Sequence, residues 1–374
     1  MPPLLIDVRQ ADDSRDVVHR AVQTLVEGGL VVFPTETVYG LGASARSEAG
    51  IRRLAEAKGD SLDQPVTLAV RSAEDALDFV PNPGAVAERL ARRCWPGPIT
   101  LVVEHGEELG LLSQLPHFSR SAVAPNNTVG FRVPANDVVL EVLRMLAGPI
   151  ALTSANLSGG PDPTTAAEAM EALGDEVALV LDDGPCRYGQ ASTVVKAGDT
   201  DYTVLREGVV AASALERLAG MTILLVCTGN TCRSPMAEAI ARELIGEQLG
   251  CRPDEIEQQG VSVVSAGIAA APGYPASPEA VQVMDSRGID LSSHRSQPLT
   301  DNLIRQADRV LTLTGSHQRA IVTRWPDSGP RVETLRGEGL DVDDPIGGSL
   351  EVYEDCATQI EEALKRRLNE RPIS

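Results

Sequence analysis

Cys227 and Arg233 stand with five residues between them in the run CTGNTCRSP, a spacing suited to phosphoryl chemistry. The short apolar run Ile223–Val226 delivers Cys227 to the end of a strand. Thr228, Gly229, Asn230, Thr231 and Cys232 then curl into a helix read from Pro235, since proline suits a first helical turn. A strand–loop–helix of this kind aims a row of backbone N–H groups and the positive helix end at one point, which makes an anion site. A thiolate there is stabilised by the same dipoles, and the thiolate is the nucleophilic form. Arg233 can grip two phosphoryl oxygens in a planar fork. A nucleotide loop would want Gly-Lys-Ser/Thr instead. On spacing alone, a structural cysteine beside an ordinary turn stays open.

Around this loop the pattern alternates strand (Ile223–Cys227), helix (Pro235–Glu247), strand (Val261–Ser265), helix (Ser277–Arg287), strand (Arg309–Leu313), helix, strand (Val332–Leu335) and helix (Ser349–Leu368). Four strands with intervening helices predict a small doubly wound parallel sheet. Upstream, Gly208–Gly220 is Ala-rich and reads as a short connecting helix, and Met221 opens a run that reads as the start of an independent unit. The expected division is a domain over 1–210, a linker over 211–221 and a second domain over 222–374. In the first domain GGLVVFPTETVYGLGA reads as a buried strand, Leu30–Phe33, leading into a polar turn. Ser47–Lys58 and PGAVAERLARRC read as helices; PVTLAV, PITLVVE, GPIALTSAN, EVALVLDDG and ASTVVKAG read as strands. Such alternation predicts one α/β domain.

The 374 residues suffice for two domains. Hydrophobic content of 43% supports a core in each, and 3% aromatics makes those cores aliphatic. Net charge is −20: residues 1–210 carry 17 basic against 29 acidic side chains, and the rest 16 against 24. Nucleic-acid backbones are bound by basic surfaces, so no direct nucleic-acid partner is expected. No apolar run approaches the ~20 residues of a membrane span, and the N-terminal residues lack a secretory pattern, so the expected location is cytoplasmic. Six scattered cysteines make no disulfide framework, and five histidines show no paired ligand spacing, so no metal site is expected.

CTGNTCRSPMAE, SAG (Ser265–Gly267), HRSQPLT (His294–Thr300), ADRVLTLT (Ala307–Thr314) and DDPIGGS (Asp343–Ser349) together resemble the low-molecular-weight protein phosphatases, in the family's order across 222–370. The resemblance implies that Cys227 attacks phosphorus to give a cysteinyl-phosphate while Arg233 and the loop amides hold the equatorial oxygens. An aspartate in an Asp-Pro turn then serves as general acid and later activates water. Asp344 matches, because Pro345 follows it; Asp343 is the neighbouring candidate. Asn230 and Ser234 would hold the loop in shape. No cofactor is implied. Tyrosine-directed members carry a bulkier aliphatic residue at Thr231 and aromatics after the Asp-Pro, where this chain has Ile346-Gly347-Gly348. Thr231 with Gly-Gly-Ser resembles the bacterial protein-arginine phosphatases, so phosphoarginine is favoured over phosphotyrosine in the phosphorylated protein partner. Cys232 beside Arg233 has two readings: a reversible disulfide that shields the nucleophile, as the resemblance suggests, or a buried space-filler.

The first domain holds PTETVYGLGA (Pro34–Ala43), WPGPITLVV, VGFRVPAND, TSANLSGG (Thr153–Gly160), DDGPCRYGQASTVV and LREG (Leu205–Gly208). Each is a turn of small polar residues on an apolar strand, able to present amides and hydroxyls to phosphates and ribose. Together they resemble the YrdC-like threonylcarbamoyl-AMP synthases over roughly 10–210, whose fold is a twisted mixed-sheet α/β domain. That family condenses L-threonine, bicarbonate and ATP, with Mg2+, into threonylcarbamoyl-adenylate and pyrophosphate, for modification of adenosine 37 in tRNA. By motif, Thr35 would contact threonine; Lys58, Ser154 and Asn156 would contact ATP or the adenylate; Ser192 and Arg206 match positions near the nucleotide. One segment departs: in KGDSLDQPVTL, Asp60 stands where the family has arginine and Gln64 replaces an asparagine. Three readings stay open: a bifunctional enzyme, a phosphatase with a degenerate nucleotide sensor, or a phosphatase joined to an RNA-binding module.

Overall fold

The computed structural model describes residues 3–59, 65–106, 110–337 and 339–371, and the chain divides into two compact units, Met1–Ala219 and Gly220–Ser374. Asp60 and Gln64 lie outside the described residues.

Among the described residues the first unit contains strands β1 (Leu4–Asp7), β2 (Val31–Phe33), β3 (Gly40–Ser44), β4 (Thr67–Ala69), β5 (Ile99–Glu104), β6 (Thr128–Arg132), β7 (Ile150–Ser154), β8 (Leu179–Asp182), β9 (Thr193–Ala197) and β10 (Tyr202–Arg206). They form one sheet in the order β1-β8-β2-β3-β7-β4-β6-β5-β9-β10. Pairs such as β2–β8 and β5–β9 run parallel, whereas β2–β3 and β3–β7 run antiparallel, so the sheet is mixed. Strand alternation assigns the two faces. Val31 and Phe33 pack toward Val17, Ala21 and Leu25 of helix Ser14–Val26 and Val142 of helix Asp137–Met145. Val32 packs into the opposite cluster, with Ile51 and Leu54 of helix Glu48–Ala57 and Leu90 of helix Ala85–Cys94.

Two features depart from the sequence expectations. The polar turn expected after β2 contains a fully buried central strand, β3. Its glycines serve close packing: a Cβ on Gly42 would meet Ile150 Cγ2 at 2.8 Å and the Phe33 ring at 2.9 Å, so any side chain there would push neighbours aside. The 211–221 segment forms the expected short helix, Ala212–Ala219, but instead of merely linking the units it buries Leu215 in the first unit's core, and Met221 already belongs to the next strand.

The second unit has four strands among its described residues: β11 (Met221–Cys227), β12 (Val261–Gly267), β13 (Arg309–Thr312) and β14 (Val332–Thr334). All pair in parallel, in the order β12-β11-β13-β14. Ile223 and Leu225 face Met236 and Ile240 of helix Arg233–Leu249 and Ile360 and Leu364 of helix Leu350–Glu370. Leu224 and Val226 face Ile304 of helix Asp301–Gln306 and Ile321 of helix Gly315–Arg324. Both faces are therefore covered, which explains why β11 reads as an unbroken apolar run. Cys227 ends β11 between β12 and β13, where the strand order reverses and such sheets place their ligands.

Candidate active sites

The helix after the second unit's loop begins at Arg233, two residues before Pro235. Asn230 carries the loop's tightest bend, with φ at 54°, a left-handed conformation that asparagine tolerates. Its backbone N–H points at Cys227 Sγ at 3.2 Å, and Ser234 Oγ lies 2.9 Å from the same sulfur. The Asn230 side chain anchors this shape: Nδ2 donates to Ser234 Oγ (3.0 Å) and Ser265 Oγ (2.8 Å), and Oδ1 accepts from the Gln297 N–H (2.8 Å). His294 Nε2 sits 2.8 Å from the Asn230 carbonyl. The distant SAG and HRSQ runs thus clamp one loop residue. Gly267 must be glycine here, because a Cβ would lie 2.5 Å from the Thr228 carbonyl oxygen.

Arg233 is buried, and its Nη2 donates to Asp344 Oδ2 at 2.5 Å. The Asp344 side chain remains about half exposed (47%), so it lies between the arginine and solvent. Asp343 is turned elsewhere, accepting from Gln359 Nε2 at 2.9 Å. Cys227 and Arg233 thus close the two ends of one loop, and Asp344 reaches that loop through Arg233. Thr231 is tied through its carbonyl, which accepts from the Ser277 N–H at 2.8 Å. Cys232 is buried with its Sγ 3.4 Å from the Tyr353 hydroxyl, and all six cysteines are free thiols. Burial pushes the Cys356 thiol, one turn beyond Tyr353, up to about 12, which leaves it protonated and inert at neutral pH.

In the first unit, Ser47 caps helix Glu48–Ala57 by accepting from the Gly50 N–H, and the helix ends by presenting Lys58. Lys58 Nζ donates to the Ser154 carbonyl (3.0 Å), the Asn156 carbonyl (2.6 Å) and Asn156 Oδ1 (2.8 Å). Ser154 Oγ donates to Asn156 Oδ1 at 2.6 Å. Burial pulls the Lys58 ammonium below its ordinary range, and Asp162 opposes that shift. Asp162 acts on Arg206 as well. Arg206 Nη2 donates to the Ser192 carbonyl (3.0 Å) and hydroxyl (3.3 Å). Five of the six expected residues thus form two clusters that share the field of one aspartate. Thr35 stands apart, with its hydroxyl spent on the Val38 carbonyl at 2.6 Å. It lines a cleft of about 290 Å3 with Pro34, Glu36, Asn136, Asp183 and Tyr188.

Sequence reasoning passed over Glu36, Arg132 and Asp162, although two of them lie inside quoted motifs. Arg132 Nη2 donates to Glu36 Oε1 and to Thr37 Oγ1, both at 2.8 Å, and Glu36 Oε2 accepts from the Ala135 N–H at 2.9 Å. The pair is buried, and Arg132 Nε has no hydrogen-bond partner among the described residues. A glutamate and an arginine 96 positions apart carry no pairing signal in one sequence.

The second unit thus carries a Cys227–Arg233 loop between a parallel strand and a helix, and the first is a mixed-sheet domain with a buried lysine held by Ser154 and Asn156. Residues 222–371 match the family model described as low molecular weight phosphotyrosine protein phosphatase, and residues 23–208 match the Sua5/YciO/YrdC model described as telomere recombination. The chain belongs to both families, one in each unit.

The "Probable low molecular weight protein-tyrosine-phosphatase EpsP" of Ralstonia solanacearum is 42% identical over 144 residues, 38% of this chain and 90% of that protein. The protein-arginine-phosphatase of Bacillus subtilis is 39% identical over 150 residues, 39% of this chain and 93% of that protein. The threonylcarbamoyl-AMP synthase of Pyrococcus abyssi is 35% identical over 217 residues, 58% of this chain, which spans 61% of that protein's length. A Mycobacterium tuberculosis protein named provisionally for the same activity is 37% identical over 208 residues, 56% of this chain and 91% of its own length. A solved variant of P. abyssi Sua5 superposes with a TM-score of 0.52 at 26% identity, over 83% of this chain and 99% of that one.

Proposed function

We propose that the chain is a bifunctional enzyme: a protein phosphatase that acts through a cysteinyl-phosphate, and a synthase of threonylcarbamoyl-adenylate from L-threonine, bicarbonate and ATP. The observation that carries the phosphatase reading is the meeting of Cys227, Arg233 and Asp344 at one loop whose Asn230 N–H points at the Cys227 sulfur. Cys227 sulfur bonds to phosphorus as the P–O or P–N bond to the leaving group breaks, and Asp344 gives that group its proton. Arg233 exchanges its contact with Asp344 for phosphoryl oxygens, and the freed Asp344 carboxylate takes up a proton from the phosphate monoanion or solvent, which it then delivers to the leaving group. Asp344 then takes a proton from water, which attacks phosphorus and frees the Cys227 thiolate.

Phosphoarginine is the favoured substrate over phosphotyrosine. Thr231 offers a hydroxyl where a bulkier aliphatic wall would favour a phenol ring, and Ile346 after the Asp-Pro supplies no aromatic face. The relative named protein-arginine-phosphatase supports this choice.

For the synthase, Lys58 held among Ser154 and Asn156 offers a fixed cation for a nucleotide phosphate, with Arg206 on Ser192 as a second. ATP would enter with Mg2+, and the adenylate would serve tRNA modification. Two assays on the full chain test the proposal: pyrophosphate release from ATP that requires threonine and bicarbonate, and turnover of phosphoarginine against phosphotyrosine. ATP binding without pyrophosphate release would reduce the first unit to a sensor. Asp60→Arg, which restores the family's charge, should raise synthase rate or tighten ATP.

A further inference from the structure

The mechanism leaves one buried imidazole beside the phosphatase loop without a task. His317 lies in the first turn of helix Gly315–Arg324, capped by Thr314, and is 3% exposed. Its Nε2 is 2.9 Å from Thr228 Oγ1, and its Nδ1 is buried with no hydrogen-bond partner among the described residues. Thr228 follows the nucleophile directly and is exposed, with its carbonyl fixed by the Ala269 N–H at 3.0 Å. Thr228 is thus a surface residue of the loop whose hydroxyl bridges inward to the buried imidazole.

Burial, and then the neighbouring Arg233 charge, push His317 down to about 4, against the opposing pull of Asp341 and Asp344. The ring is neutral at physiological pH and holds one proton. An orphaned N–H in a buried site is rarer and costlier than an under-used acceptor. The proton therefore belongs on Nε2, which donates to Thr228 Oγ1 and leaves Nδ1 as a bare lone pair. Thr228 then keeps its own O–H and one lone pair for a ligand. Arg233 and Asp344 both lie near enough to act on the His317 charge, so the pair belongs to the surroundings of the Cys227 loop.

We propose that Thr228 and His317 form a selectivity element for phosphoramidate substrates, in which the Thr228 hydroxyl donates to a non-bridging phosphoryl oxygen and accepts an N–H from the leaving guanidinium. A phosphoryl oxygen and an N–H side by side are what an N-phosphorylated guanidine presents; an aryl phosphate offers the oxygen alone. His317 is a positioning residue that fixes the polarity of the threonine. The inference rests on the phosphoarginine reading above.

The test compares kcat and KM for phosphoarginine and p-nitrophenyl phosphate in the full chain. Thr228→Val should lower kcat/KM for phosphoarginine about tenfold more than for p-nitrophenyl phosphate, the value of one well-placed hydrogen bond. Thr228→Ser should retain the wild-type ratio. His317→Gln, which keeps an N–H donor, should keep the ratio too, whereas His317→Leu should lose it as Thr228→Val does. The double variant Thr228→Val/His317→Leu should lose no more than Thr228→Val alone, as expected when one residue acts through the other. Equal losses on both substrates in Thr228→Val, or full additivity in the double variant, would overturn the pair while leaving the phosphoarginine reading intact. A wild type that turns over p-nitrophenyl phosphate but not phosphoarginine would overturn both.

Discussion

Arg233 and Asp344, 111 positions apart in sequence, meet at 2.5 Å across the mouth of the phosphatase loop. Asp344 takes one arm of the guanidinium, Nη2, while Nη1 faces the Val342 carbonyl at 3.4 Å. On the proposed phosphatase reading, a phosphoryl group must displace Asp344 from Nη2, and the net electrostatic gain is smaller than the full contact. On the same reading, that exchange frees the Asp344 carboxylate to take up the proton it passes to the leaving group.

Cys227→Ser should abolish phosphatase turnover, because an alkoxide at that site is far harder to form than a thiolate. Arg233→Lys should lose at least ~100-fold, since a point charge cannot replace the fork. Steady-state assays with p-nitrophenyl phosphate check both, and near-normal turnover by the serine variant would refute the covalent route.

Asp344→Ala should slow the enzyme ~100- to 10,000-fold on poor leaving groups and much less on activated aryl phosphates. Asp343→Ala, whose carboxylate is engaged by Gln359, should change rates little. A leaving-group series measured on both variants decides the assignment, and a flat response in Asp344→Ala would remove it from the acid role.

Thr231→Ile should move preference from phosphoarginine toward phosphotyrosine by about tenfold, through a larger apolar wall and a lost hydroxyl. The ratio of kcat/KM values is the readout. An unchanged ratio would overturn the role of Thr231 and leave the chemistry untouched.

Lys58→Met keeps the apolar stem of the side chain but strips three hydrogen bonds from Ser154 and Asn156. ATP affinity of the full chain should fall at least ~10-fold by calorimetry. Unaltered affinity would take Lys58 out of the nucleotide site.

His317 should make the phosphatase unit acid-sensitive. Its folded value of about 4 lies below the ordinary 6.5, so the unfolded chain binds the extra proton first as pH falls. Stability from this group is complete above about 6.5, declines between about 6.5 and 4, and is level below, with a total on the order of 3 kcal/mol. His317→Gln should flatten that stretch of the urea-denaturation profile. An identical slope in variant and wild type would show the group to be unperturbed.

The strand–loop–helix that holds Cys227 and Arg233 was legible from local sequence, because seven consecutive residues make most of that geometry. The helix over Glu48–Ala57 was legible for the same reason, since Ser47 and Lys58 mark its ends. β3 was not, because its glycines resemble turn residues until the packing of Ile150 and Phe33 against Gly42 is seen. The Glu36–Arg132 pair, the shared field of Asp162 and the Thr228–His317 contact also escaped, since each joins side chains remote in the chain. Sequence by itself determined the chemistry that sits within one loop and the division into two α/β units. Tertiary structure alone decided which distant charges are buried together, as with Glu36 and Arg132, because pairing across a sheet is set by how strands are ordered in space, which local residue patterns do not encode.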